Sequence, residues 1–285
     1  MDQRLLDLYD EYTHAPLDRR VFLERLVQLC GSTAVAMSLL PLLESKAAAA
    51  LVPPDDARLA AGRITYPGAS GDIASYLARP KDSAKLPAVI VIHENRGLTA
   101  HIEDVARRAA LAGFLALAPD MLSPLGGTPA DPDSARAQFG KLEPEKTVQN
   151  LVAAVKFLEK HEHGTGKVGT VGFCWGGGMV GDLAVACPEL DAAVVYYGRQ
   201  PAAAMVEKIQ APLLLHYAGL DERINAGIPA FEEALKKAGK KYTLYRYEGV
   251  NHAFHNDTSE ARYNKEAAEL SWSRTIAFLR ENLQS

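Results

Sequence analysis

The chain has 285 residues, 48% of them apolar and 23% charged, with a formal net charge of −4. That supply of apolar side chains can fill a large core and excludes a disordered chain. The near balance of charge leaves no electrostatic footprint for nucleic acid or for an acidic membrane surface.

In chain order, the first 50 residues stand apart from the rest. Residues 1–17 are polar with a helical pattern, and Asp18-Arg19-Arg20-Val21-Phe22-Leu23 resembles a twin-arginine export motif. An uncharged run over 26–43 follows, then Glu44-Ser45-Lys46 and a small-residue stretch suited to signal-peptidase cleavage near Ala49 or Ala50. On that reading, residues 1–50 are an export signal, a twin-arginine translocase is a transient partner, and the mature protein is periplasmic. On the other reading, residues 1–50 are kept as an amphipathic helical hairpin packed on one catalytic domain, 51–285, in the cytoplasm. The sequence leaves both open.

From residue 63 onward, apolar or alternating runs predict strands near 63–66, 73–78, 87–92, 114–118, 168–173, 192–197, 212–217 and 242–247. Helical patterns fall between most of them, most plainly at 102–112, 145–161, 230–238 and 270–283. This alternation predicts an α/β fold, with a mostly parallel central sheet and helices on both faces. Residues 123–139, rich in proline, glycine and aspartate, read either as part of a substrate lid or as a surface loop.

Chemistry gathers at the ends of the later strands. The strand at 87–92 runs into His93-Glu94-Asn95-Arg96-Gly97, and the strand at 168–173 runs into Gly172-Phe173-Cys174-Trp175-Gly176. The second segment has the pattern of a nucleophile elbow, with a thiol where serine is usual. Glycines beside the nucleophile let the backbone turn sharply, and a helix starting there favours a thiolate. The bland alternative is a glycine-rich turn holding an inert cysteine. Asp221 follows the strand at 212–217, and His252 follows the strand at 242–247. The order nucleophile, acid, histidine fits an elbow enzyme in which His252 deprotonates Cys174 and Asp221 fixes the imidazole tautomer. The backbone N–H groups of Asn95 and Trp175 are the candidates for an oxyanion hole.

Taken together, His93-Glu94, Gly172-Phe173-Cys174-Trp175-Gly176-Gly177, Tyr196-Tyr197-Gly198, Asp221 and Gly249-Val250-Asn251-His252-Ala253-Phe254 resemble the dienelactone hydrolase family of the α/β-hydrolase superfamily. The resemblance implies an α/β-hydrolase fold and hydrolysis of a small-molecule ester or lactone through an acyl-enzyme, with no metal or organic cofactor. It also implies that Glu94 interacts with the resting cysteine and helps to form the thiolate. The sequence departs from the family at the substrate carboxylate. The position four residues after the histidine is Asn256, and 119–124 lacks the second expected arginine. Arg96 and Arg199 are candidates for a relocated anion site or else ordinary surface arginines, and Tyr197 and Phe254 are candidates for an aromatic pocket.

Lactonase, broad carboxylesterase and thioesterase all fit these residues. A thiol redox protein, with Cys174 cycling through a sulfenic acid, needs neither Asp221 nor an oxyanion hole, and a non-catalytic scaffold would be expected to have lost one of the three residues. Cys187 reads as a small buried hydrophobe, and His161-Glu162-His163 as a connector without companion ligands at metal-site spacing.

Overall fold

The computed structural model describes residues 1–15, 17–44 and 50–284. The end of the expected cleavage region, 45–49, lies outside the described residues.

The run Pro87-Ala88-Val89-Ile90-Val91-Ile92 has no polar face, so it is stable only with cover on both sides. It forms β3 (Leu86–Ile92) near the middle of an eight-stranded sheet. The other strands are β1 (Leu59–Gly68), β2 (Gly71–Pro80), β4 (Leu115–Pro119), β5 (Gly164–Phe173), β6 (Ala192–Tyr196), β7 (Leu213–Ala218) and β8 (Tyr242–Tyr247). Their order is β1-β2-β4-β3-β5-β6-β7-β8. β1 and β2 form an antiparallel hairpin, β2 pairs antiparallel with β4, and every later pairing is parallel. All eight predicted strands are present. The edge strand β8 is the most polar of them and buries only Tyr247 fully, as an edge exposed to water requires.

Three helices precede the sheet: α1 (Gln3–His14), α2 (Arg19–Cys30) and α3 (Thr33–Leu43). Asp2 and Asp18 cap the first two by accepting from the N–H groups of Arg4 and Arg20, and Gly31, at φ 68°, ends α2 in the left-handed conformation. The crossover helices are α4 (Ala100–Leu111), α5 (Pro132–Phe139), α6 (Pro144–Glu159), α7 (Trp175–Ala186), α8 (Glu222–Asn225), α9 (Ile228–Lys237) and α10 (Lys265–Leu283). They bury two apolar layers. One lies between the sheet and α4 and α10, the other between the sheet and α6, α7 and α9.

α1, α2 and α3 pack around a smaller apolar cluster of their own, in which Tyr12 stacks on Phe22 with ring centroids 4.3 Å apart. No single described helix is long and apolar enough to cross a membrane. α2 and α3, bent by 115° at their junction, reach that threshold only as a pair, by length and composition. Ahead of β1, Leu51 and Val52 are anchored on α4. Asp104 accepts from the N–H groups of Leu51 and Val52, and the buried Arg107 donates to the Val52 carbonyl and to Tyr76. Parallel strands all end on the same edge of the sheet. The loops after β3, β5, β7 and β8 therefore converge, and α1 lies across them.

Candidate active site

The turn from β5 into α7 is tight because its neighbours leave no room for side chains. A β-carbon on Gly172 would lie 2.3 Å from the Gly176 carbonyl oxygen, and one on Gly176 would lie 2.4 Å from the Ile92 oxygen. Cys174 is held at the apex with φ 57° and ψ −115°, its N–H donating to the Tyr196 carbonyl at 3.0 Å. A non-glycine residue persists in that backbone region only where its surroundings enforce it. Tyr197 and Ala253 are the other described non-glycine residues with positive φ, and both sit beside this turn.

Asp221 begins the loop after β7. Its Oδ1 accepts from the Ile224 N–H at 3.2 Å, while Oδ2 lies 2.5 Å from Nδ1 of His252, in the loop after β8. Both side chains are buried. A carboxylate at Nδ1 places the proton there, so Nε2 carries the lone pair in the neutral ring. That Nε2 is buried and has no hydrogen-bond partner. It faces the sulfur of Cys174, within 4.8 Å.

The partner nearest the thiol was missed by sequence reasoning. Nε2 of His14, at the end of α1, is 3.0 Å from Cys174 Sγ, and the His14 and His252 rings meet edge-on with centroids 4.6 Å apart. Asp10, one turn earlier, places Oδ1 3.0 Å and its carbonyl oxygen 2.9 Å from His14 Nδ1. Burial alone would depress the His14 pKa, but Cys174 and Asp10 outweigh it and raise the value. Asp10 is shifted the other way. Its burial is more than offset by His252, His14 and Arg223, and its carboxyl lies far below the usual range. The only sequence signal for this pair was its four-residue spacing on an amphipathic helix.

Glu94 does not bond to the thiol. Asn256 Nδ2 donates to its Oε2 at 2.5 Å, and the Tyr197 hydroxyl lies 3.5 Å from Oε1. The expectation that Glu94 contacts the resting cysteine is thus corrected: His14 occupies that place, and Asn256, noted only as a missing arginine, is the residue that holds Glu94. Asn95 turns its side chain to the Thr13 carbonyl at 2.7 Å, leaving its backbone beside the elbow. Trp175 is the first residue of α7, so its N–H has no partner within the helix. His93 fixes the loop beneath. Its Nδ1 meets the Glu94 carbonyl at 2.7 Å and its Nε2 accepts from the Met121 N–H at 3.1 Å, while burial lowers its pKa.

Two cavities meet at Cys174. One of about 20 Å³, room for roughly one water, lies among Glu94, Asn95, Arg96, Cys174, His252 and Arg262. The other, about 570 Å³, is lined by Cys174, Trp175, Tyr197, Arg199, Phe139 and Arg136, with Thr13, His14 and Leu17 as its N-terminal wall. The 123–139 segment therefore borders the site through α5. Phe254 does not. It is fully buried in the core against Tyr197 and Tyr247 and lines neither cavity, a correction to its expected pocket role.

Residues 73–283 match the model of the dienelactone hydrolase family. The chain belongs to the dienelactone hydrolase family. Residues 1–28 match a separate model described as YqhI-like. A carboxymethylenebutenolidase homologue of Saccharolobus solfataricus is 37% identical over 76% of this chain and 97% of its own length, and one of Methylorubrum extorquens is 31% identical over 88% and 91%. A dienelactone hydrolase homologue of known structure from Klebsiella pneumoniae is 28% identical, covers 77% of this chain and 98% of its own, and superposes with a TM-score of 0.70. This dienelactone hydrolase homologue is accordingly an α/β-hydrolase acting on ester or lactone bonds.

Proposed function

We propose that this chain hydrolyses small esters or lactones by covalent catalysis at Cys174, with His252 as base and acid and Asp221 as its orienting partner. The observation that carries the reading is the buried, unpartnered Nε2 of His252. It faces an elbow cysteine while Asp221 grips the other ring nitrogen at 2.5 Å. His252 Nε2 takes the thiol proton as the sulfur turns from His14, and the thiolate adds to the substrate carbonyl. The N–H groups of Asn95 and Trp175 stabilise the oxyanion. Collapse expels the alkoxide or enolate, which receives the proton from His252, and leaves a thioester. A water then gives its proton to His252 and attacks the thioester; the acid departs and the thiolate is reprotonated.

Three of the five arginines lining the two cavities are closely paired with carboxylates, which supports an uncharged substrate. Arg96 is paired with Asp133 at 3.3 Å, Arg199 with Asp182, and Arg223 with Asp10 at 3.2 Å. Arg96, Tyr197 and Arg199 are accordingly proposed as walls of the substrate site rather than as a free carboxylate clamp. The test is hydrolysis of a neutral ester and of a lactone carboxylate by wild type and Cys174→Ala. The variant is expected to lose at least ~10³-fold with either compound, and wild type to favour the neutral one. Retention of the rate by the variant overturns the nucleophile. A preference for the carboxylate overturns the substrate reading.

For the compartment, the Asp18–Leu23 motif supports delivery of the folded chain to the periplasm, and the packing of α1 on the elbow supports retention of residues 1–50 there. Intact mass of the natively expressed protein in each cell fraction is the check. Full-length chain in the periplasm is expected. Cleavage near Ala50 rejects retention, and a purely cytosolic chain rejects export.

A further inference from the structure

Two imidazoles face the sulfur, and each is backed by an acid, half-buried Asp10 or buried Asp221. Asp10 lies against Nδ1 of His14 and Asp221 against Nδ1 of His252. Both rings thereby turn an Nε2 lone pair toward Cys174, and the three donor atoms lie within 4.8 Å of one another. His252 Nε2 is buried without a hydrogen-bond partner, so its lone pair is open to a cation while α1 lies over the site. A hydrolytic dyad needs only one histidine on the sulfur. Two, one oriented by the Asp221 carboxylate and one by the Asp10 carbonyl with its carboxylate alongside, make the donor set and supporting shell of a metal site.

We propose that His14, Cys174 and His252 form a site for a thiophilic divalent cation, Zn²⁺, which clasps α1 over the nucleophile and holds the hydrolase latent. The binding part stands on the donor geometry; the latency part rests on the reading of Cys174 as nucleophile. Tetrahedral Zn²⁺ with bonds of about 2.3 Å to sulfur and about 2.0 Å to nitrogen sets its ligand atoms roughly 3.3–3.6 Å apart. From 4.8 Å or less, that is a side-chain rotation and not a backbone movement. Binding forms one Zn–S and two Zn–N bonds, and the thiol proton leaves to solvent. It consumes the nucleophile's electron pair and the base's lone pair together, so the bound form cannot turn over. Water completes the coordination from the cavity side.

The binding test uses full-length protein stripped with a chelator and titrated with Co²⁺ as a spectroscopic stand-in, then with Zn²⁺. One equivalent of Co²⁺ should give thiolate-to-cobalt charge transfer and the intense visible bands of a tetrahedral site, both erased by Zn²⁺. Cys174→Ala should abolish the charge transfer. His14→Ala should weaken Zn²⁺ binding by ~100-fold or more through loss of a ligand, and Asp10→Asn, which keeps both ligating histidines, by about 10–100-fold. Absence of the charge-transfer band, or wild-type Zn²⁺ affinity in both helix variants, overturns the site. In parallel, one equivalent of Zn²⁺ should abolish hydrolysis and a chelator restore it. Full turnover with the cation bound overturns latency. Failure of the nucleophile reading is separately visible as a Cys174→Ala enzyme that keeps its rate yet loses the metal.

Discussion

Holding Cys174 at φ 57° costs on the order of 1–3 kcal/mol, which the fold offsets by crowding the turn with backbone. The Gly172 and Gly176 positions show how. Any β-carbon there would meet a main-chain oxygen at under 2.5 Å, so only glycine at those two positions lets the backbone turn this tightly and present residue 174 at the apex. The role of Asp221 follows from the same economy of space. Its two oxygens are divided between capping α8 and fixing His252, and substitution by asparagine keeps the cap but offers an amide N–H or a weaker acceptor to the ring. Asp221→Asn is therefore expected to fold normally and to lose ~10²–10⁴-fold in kcat by favouring the wrong tautomer. Steady-state kinetics on a neutral ester check this, and a rate within a few-fold of wild type would show that His252 does not depend on Asp221.

At the scale of elements, α1 is the piece that distinguishes this chain from a bare hydrolase domain. It reaches the strand-end edge through Tyr12 in its last turn, which is stacked on Phe22, covered by the Arg136 guanidinium 4.1 Å from its ring centroid, and 1% exposed. Truncating such a ring costs about 3–5 kcal/mol, more than a three-helix appendage with a small core can absorb. Tyr12→Ala should raise amide hydrogen exchange in α1 and in the adjoining α5 while leaving β3 to β7 protected. Equal protection of α1 in both proteins would mean that the helix is docked by its polar contacts instead. The sheet strands, by contrast, were legible from sequence, because a run such as Ala88 to Ile92 has one stable environment. Asp221 and His252 were legible because they follow such strands directly. His14 was not. Nothing local marks a helical histidine as lying on a thiol 160 residues away, and the fate of Asn256 and Phe254 likewise depended on which side of a short loop faces the cavity.

For the whole molecule, acid sensitivity is set by histidines that fold in their neutral form. His216 and His255 are both buried beneath the site. Burial depresses His216 to about 3 and His255 well below its ordinary value, with Arg274 adding to the first and His101 and Arg108 to the second. In the unfolded chain both titrate near ~6.5. Between that value and the folded one, the unfolded state binds more protons, so stability rises with pH and is lost as pH falls. The contribution is thus fully present above ~6.5, declines from there, and is exhausted for His216 below about 3. Asp257 acts with the same sign. Its burial is outweighed by His101 and Arg108, so its carboxyl also titrates below its unfolded value. Thermal midpoints measured from pH 7.5 downward should therefore fall as pH passes below ~6.5. His216→Gln identifies the source, since glutamine can still bond with Thr275 and Tyr247, the partners of His216 at 3.2 and 3.0 Å, but takes up no proton. The variant should lose some stability at neutral pH and show a shallower decline toward acid, narrowing the gap by on the order of a few kcal/mol across that range. Parallel curves for the two proteins would transfer the acid sensitivity to Asp257 and the other carboxylates.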